Sequence, residues 1–260
     1  MSLHDLNKSL ENWVKKYGGF SEDDLKEGLV WFEIDTTKLR VITEDKPSDK
    51  KDKEGGHGED KEEVNEDDLH SGVVFKSKYT NKTNVPQEHT FIMEKQTEAT
   101  LISTLTKGFT ADGKVGIKVK VPDVVTNATS SFGTEVTIAT DDMSIVKHLV
   151  DWSSQTKVIV APRETVVAEV RIKETKYKVK FDWTVVMKGR VIARVYRAER
   201  KHPKVMESTL ATILSNDETV SLMSGVYIKM ETGQVTWDVS GTLHFRFGVS
   251  QDCEVCPLEK

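Results

Sequence analysis

From Val73 onward the apolar side chains of this chain recur at every second residue, and that period decides what it folds into. A strand turns alternate side chains to opposite faces, so a period of two means sheet rather than helix. Val158, Val160, Val166, Ala168, Val170 and Ile172 share one parity, Val179, Phe181, Trp183 and Val185 follow, and residues 226–249 alternate again. Residues 90–145 hold fifteen Ser and Thr, and Val, Ile and Thr suit strands. The expected fold class is mainly β, with one short helix in 207–220.

The N-terminal part reads differently. Leu6, Leu10, Trp13, Val14 and Tyr17 fall at three- and four-residue spacing, which predicts a helix over 5–17 that Gly18-Gly19 stops. Ser21-Glu22-Asp23-Asp24 suits the cap of a second short helix, and residues 29–42 read as one strand. Residues 44–70 carry twelve acidic side chains and five lysines, a net of −7. They hold too few apolar groups to offset their ordering entropy and read as a loop, His57 within it included. The expected division is 1–72, a receptor-binding or capping region, and 73–260, a β module. Trp13, Tyr17, Trp31 and Phe32 suit either burial against the helix or a receptor- or lipid-facing patch.

Net charge is −5, so residues outside 44–70 sum to about +2, and they form no basic stripe interleaved with aromatics. Nucleic acid is not the expected partner. No run of apolar residues is long enough for a transmembrane helix, and no secretory signal is visible at Met1–Asp5. The three Asn-x-Ser/Thr sequons, at Asn7, Asn81 and Asn127, then read as chance matches.

Residues 109–121 alternate without error. Phe109, Ala111, Val115, Ile117, Val119 and Val121 form one face; Thr110, Asp112, Lys114, Lys118 and Lys120 form the other. After a turn at Thr126-Asn127, residues 132–140 alternate again, with Phe132, Val136 and Ile138 on the apolar side and Glu135 and Thr137 opposite. An antiparallel hairpin in which position i faces 253 − i sets Lys118 against Glu135. Each arm has about the 9–11 residues of a transmembrane β-strand. A hairpin cannot cross lipid alone, because its outer backbone groups lack partners, so one hairpin per chain implies a ring of identical chains. Most alternating hairpins, however, only cover the core of a sandwich.

Three stretches resemble the aerolysin-type β-pore-forming family, in its epsilon-toxin-like branch. They are Asn84-Val85-Pro86-Gln87-Glu88-His89-Thr90 ahead of a Thr-rich strand, the hairpin with its Thr106-Lys107-Gly108-Phe109 lead-in and Val121-Pro122, and Trp152–Thr165. Trp152 stands where the family often has proline. The resemblance implies an elongated fold of long twisted antiparallel strands, released as a soluble form, by an export route without a visible signal, or stored in the cytoplasm. It implies binding of a target membrane through a surface glycan or glycoprotein, assembly of a homo-oligomeric ring, and insertion of hairpin 107–141 as a cytolysin does. Lys114, Lys118, Lys120, Glu135 and Thr137 are then expected in the lumen. Phe109, Val115, Ile117, Val119, Val121, Phe132, Val136 and Ile138 are expected toward lipid, with Val124, Val125, Thr126 and Asn127 at the tip. The alternative is a non-catalytic β-sandwich binding module or regulator of a related pore former.

No nucleophile, zinc or phosphate-loop pattern is present, so no catalytic residue, cofactor or metal is expected. His148 and His244 read as structural or exposed. Cys253 and Cys256 read as two exposed thiols or as a reversible disulfide, within or between chains. Gln251–Lys260 and Arg197–Lys201 are the candidate activation cleavage segments.

Overall fold

The computed structural model describes residues 3–45, 70–111, 115–139 and 143–258; His57, Lys114 and all of 46–69 lie outside them. In chain order the elements are β1 (His4–Asp5), α1 (Leu6–Gly18), α2 (Glu22–Lys26), β2 (Val30–Asp35), β3 (Arg40–Asp45), β4 (His70–Thr80) and β5 (Gln87–Lys107). Then come β6 (Phe109–Thr110), β7 (Gly116–Lys120), α3 (Asp123–Ala128), β8 (Glu135–Ala139), β9 (Met143–Val160) and β10 (Thr165–Lys188). The chain closes with β11 (Arg190–Arg197), β12 (Lys204–Thr209), α4 (Leu210–Ser215), α5 (Glu218–Ser221), β13 (Val226–Lys229) and β14 (Gln234–Pro257).

β10 and β14 run antiparallel from Val166 opposite Pro257 to Lys188 opposite Gln234. At about 3.3 Å per residue each spans roughly 80 Å, so the molecule is elongated. The mainly β architecture of long antiparallel strands implied by the aerolysin-type resemblance is the one observed. The large sheet has the order β3-β10-β14-β5-β9, with β4 also on β10 and β13 on β14. The apolar parity along β10 changes partway: Ala168, Val170 and Ile172 are buried before it, Tyr177, Val179 and Phe181 after it. The two halves face different cores, Val166 and Ala168 one and Tyr177, Val179 and Phe181 another, and the β-bulge beside the change places its extra residue, Val249, on β14.

β5 meets β14 only between Thr100 and Lys107. Beyond that, β5–β9 and β4–β10–β14 separate into two layers around Phe91, Val160, Val166 and Ala168. Gly248 stands where they separate: a Cβ there would meet the Trp152 ring at 2.5 Å. Smaller still, β12, β11 and β2 form a separate three-stranded sheet.

At the N-terminus α1 follows its pattern. Asp5 caps it by accepting from the Lys8 N–H, Leu6, Leu10 and Val14 are buried, and Gly19 ends it at φ 77°. Ser21 and Asp24 form the expected capping box of α2. Two expectations need correction. Residues 29–42 are two strands in different sheets, because Asp35 accepts from the Thr37 N–H and turns the chain. The helix of 207–220 is two short ones, α4 and α5, separated at Asn216-Asp217.

Candidate functional site

β5 and β9 pair over eighteen positions, ending with Thr104 opposite Met143. The chain between these ends is the predicted hairpin, so both its ends start from one place on a long two-stranded stem. Gly108, at φ 130°, ends β5 and turns the chain under the sheet; a side chain there would press on Val239 at 3.1 Å. β7 and β8 then pair from Gly116 opposite Ala139 to Lys120 opposite Glu135. Among the described residues they pair with each other and with no strand of the large sheet.

What holds the hairpin to the body is its apolar face. Phe109, Ile117 and Ile138 are wholly buried, and Val115, Val119, Val121, Phe132 and Val136 are at most 7% exposed. All eight share one core with Leu101 and Leu105 of β5, Tyr177 and Phe181 of β10, and Trp237, Leu243 and Phe245 of β14. Phe132 sits edge-on to Phe245 at 5.3 Å and to His148 at 5.6 Å. The opposite face, Lys118, Lys120, Glu135 and Thr137, is exposed. The two faces are therefore divided as the alternation requires.

The register is corrected by two residues. Partners add to 255, so Glu135 faces Lys120, and Lys118 faces Thr137. The tip is also corrected: Asp123–Ala128 is a helical turn, α3, started at Pro122 rather than a two-residue turn at Thr126-Asn127. Val124 is 52% exposed, but Val125 is wholly buried and belongs to the core. Thr126 is half-buried and Asn127 exposed.

A second feature had no sequence signal. β1 pairs in parallel with β6, His4 against Phe109 and Asp5 against Thr110, and the His4 N–H donates to the Gly108 carbonyl at 3.1 Å. The chain's first strand thus clamps the lead-in of the hairpin. The His4 ring lies 5.5 Å from Trp237, which also holds Phe109 at 5.0 Å. Ser9, itself buried, gives its hydroxyl proton to Asp217, the N-cap of α5. His4 Nε2 is 2.7 Å from the same oxygen, so Nε2 carries the hydrogen that this bond needs. Serine stands between histidine and carboxylate here. In a nucleophilic triad the histidine stands in the middle, so this set is a polar pin and not that relay. Burial holds the His4 imidazole below its ordinary pKa against the pull of Asp217 and Asp5. Burial pushes Asp217 up, but hydrogen bonds from Ser9 and Thr219 outweigh it and keep the carboxyl below its ordinary value.

The remaining candidates separate. Trp13 is half-buried against the core and Phe32 stacks on Phe20, whereas Tyr17 is exposed. Trp31 is 50% exposed and stacks on Tyr196 at 5.4 Å, almost parallel. Cys253 and Cys256 are both exposed and lie three residues apart on β14. On extended chain that separates their Cα atoms by about 10 Å, beyond the roughly 7 Å limit of a disulfide. The within-chain bridge is therefore excluded in this strand. Of the cleavage candidates, residues 198–201 are an exposed turn, while Gln251–Pro257 is paired strand against β10.

No protein-family description and no curated protein matches the chain. Solved structures of related shape include a non-toxic crystal protein from Bacillus thuringiensis, at 16% identity, covering 99% of each chain, with a TM-score of 0.49. The parasporin-2 Bacillus thuringiensis toxin that recognizes cancer cells is 16% identical over 90% of this chain and 78% of its own, at 0.42. The Mpp75Aa1.1 β-pore-forming protein from Brevibacillus laterosporus is 11% identical over 91% and 73%, at 0.40. At TM-scores below 0.5 these likenesses decide nothing about activity.

Proposed function

We propose that this chain is a pore-forming protein: it meets a target membrane as a soluble form, assembles with its copies, and releases hairpin 107–141 from each to build a transmembrane β-barrel. One observation carries the reading. The described arms of the hairpin are two-faced, and among the described residues β7 and β8 share no ladder with the large sheet but pack their apolar side chains into its core. A ribbon packed face-on in this way can leave without breaking a ladder bond to the large sheet.

The energetics favour an exchange of one apolar medium for another. Burying eight Val, Ile and Phe side chains is worth on the order of 10–20 kcal/mol, as much as the whole net stability of a typical domain. The hairpin does not leave for water. In lipid the same face stays covered, and Lys118, Lys120, Glu135 and Thr137, with Lys114, line an aqueous lumen. Trp31, exposed and stacked on Tyr196, is the surface offered to a receptor, a glycan or glycoprotein.

The test combines leakage with position. Liposomes holding a quenched dye are mixed with chains carrying one environment-sensitive label at residue 117, 118, 137 or 138. Dye release is expected, together with detergent-resistant rings. Quenchers dissolved in the acyl chains should reach labels at 117 and 138, and aqueous quenchers those at 118 and 137. Absence of leakage, or labels that keep their soluble-state signals while leakage proceeds, refutes the reading.

A further inference from the structure

β9 is an edge strand of unusual exposure. It runs eighteen residues, pairs only with β5 among the described residues, and contains neither proline nor glycine. Its pairing with β5 shows no bulge. Natural edges of this length are normally blunted by such devices, because a row of free N–H and C=O groups templates another strand. The outward row of β9 reads Met143, Ile145, Lys147, Leu149, Asp151, Ser153 and Gln155, all exposed, with Leu149 at 65%.

We propose that this edge is the docking surface for β9 of a second copy, paired antiparallel with Leu149 opposite Leu149 of the partner copy. The commitment to a second copy rests on charge. About a twofold axis at Leu149, Lys147 of each chain meets Asp151 of the other, Ile145 meets Ser153, and Met143 meets Gln155. Outward residues meet outward residues throughout, so each sheet continues into the other with its faces unchanged. Lys147 already holds Glu98 at 2.9 Å, and Asp151 accepts from Gln96 at 2.8 Å. The new contacts lengthen these pairs into rows that cross the junction, Glu98 to Lys147 to Asp151 to Gln96.

One other antiparallel register joins opposite charges, Asp151 to Lys157, about an axis at Ser154. It would bring the 156–160 ends of both copies into the overlap. There Thr156 contacts Cys253 at 3.1 Å, so the second layer of strands lies alongside. The axis at Leu149 overlaps only residues 143–155 and keeps that thicker end clear. This inference is independent of the pore reading.

The experiment uses the full chain with both native cysteines changed to serine, followed by sedimentation and light scattering across concentration. A dimer is expected. Lys147→Asp or Asp151→Lys alone turns two attractive pairs repulsive and should weaken it roughly tenfold or more. The double variant K147D/D151K restores opposite charges in this register and should recover dimerisation; in the Asp151–Lys157 register it would not. Leu149→Cys should form a covalent dimer on mild oxidation. A chain that stays monomeric at all concentrations overturns the proposal. So does a double variant as weak as the singles, or a ladder of larger species without the 149–149 bridge, the mark of head-to-tail pairing with another edge. Lys147, Leu149, Asp151 and both cysteines are on the surface, so loss of folding does not confuse the result, and leakage measured alongside reports the pore reading separately.

Discussion

Asn81 begins an Asn-Lys-Thr sequon, yet its amide is wholly buried and fully engaged. Nδ2 donates to the carbonyls of Val85, Val160 and Ala161, and Oδ1 accepts from the Thr83 N–H and hydroxyl. It ties the β4–β5 turn to the end of β9. Asn81→Ala strands these groups and should cost about 2–3 kcal/mol, lowering Tm by roughly 5–10 °C in a calorimetric scan. His4 gives a second prediction at this scale. In the clamp its pKa lies below the ordinary histidine value, whereas a released, hydrated His4 titrates at that value. Between the two the open form binds more protons, so the clamp weakens as pH falls through this window and is at full strength above it. Proteolysis near Gly108 should quicken across that range, and in His4→Gln it should lose this step. Asp217 contributes only at more acidic pH, where its carboxyl finally protonates. None of this was legible in the sequence. A two-residue parallel bridge between positions about a hundred residues apart leaves no local pattern.

At the scale of elements the alternation told much and left a defined remainder. Faces were readable because a strand's period is two; register was not, because sliding one arm by two residues changes every partner and no face. Registers adding to 253 and to 255 both keep Ile117 and Ile138 on the apolar side, and only packing against the sheet separates them. The same arithmetic sets a task for insertion. Partners in the stem add to 247 and partners in the arms to 255, an offset of eight. A continuous ribbon from stem to tip requires β7 and β8 to unpair and re-form with Lys118 near Thr129. A disulfide in the variant K118C/T137C, made without the native thiols, should therefore stop leakage, and reduction should restore it. A clamp locked by D5C/T110C should behave alike. Leakage from either oxidised variant would mean that the hairpin moves with its present pairing or without opening the clamp. The missed break within 29–42 was legible in retrospect, since Asp35-Thr36-Thr37 is a turn-forming sequence.

For the molecule as a whole, length follows from two strands of 24 residues, and the position of the hairpin follows from their burial pattern. The large core is completed by the hairpin rather than merely roofed by it. In water those amides of Ile117 to Lys120 and Glu135 to Ala139 that are bonded within the β7–β8 ladder should therefore exchange hydrogen about as slowly as those of β10 and β14, and become distinct from them only when membranes are added. Faster exchange of the hairpin alone in buffer would show that its apolar face is worth less than its burial implies. Overall class and the location of the two-faced segment were visible in the period of the sequence. The division of the large sheet into two layers was not, because it depends on where β5 stops pairing with β14, and the close approach of Gly248 to Trp152 at that place leaves no local pattern.

The two sides of the excursion are unequal in reach. Between Thr104 and Gly116 lie eleven residues; between Ala139 and Met143 lie three. Fully drawn out, the outgoing side spans roughly 40 Å and the returning side about 13 Å. Ala139 is consequently tethered like a hinge pin beside the base of β9, while the opposite strand has ample rope. Any departure keeps the return side close to the stem and carries the other side farther, so the two strands travel unequal distances before a membrane is ever met.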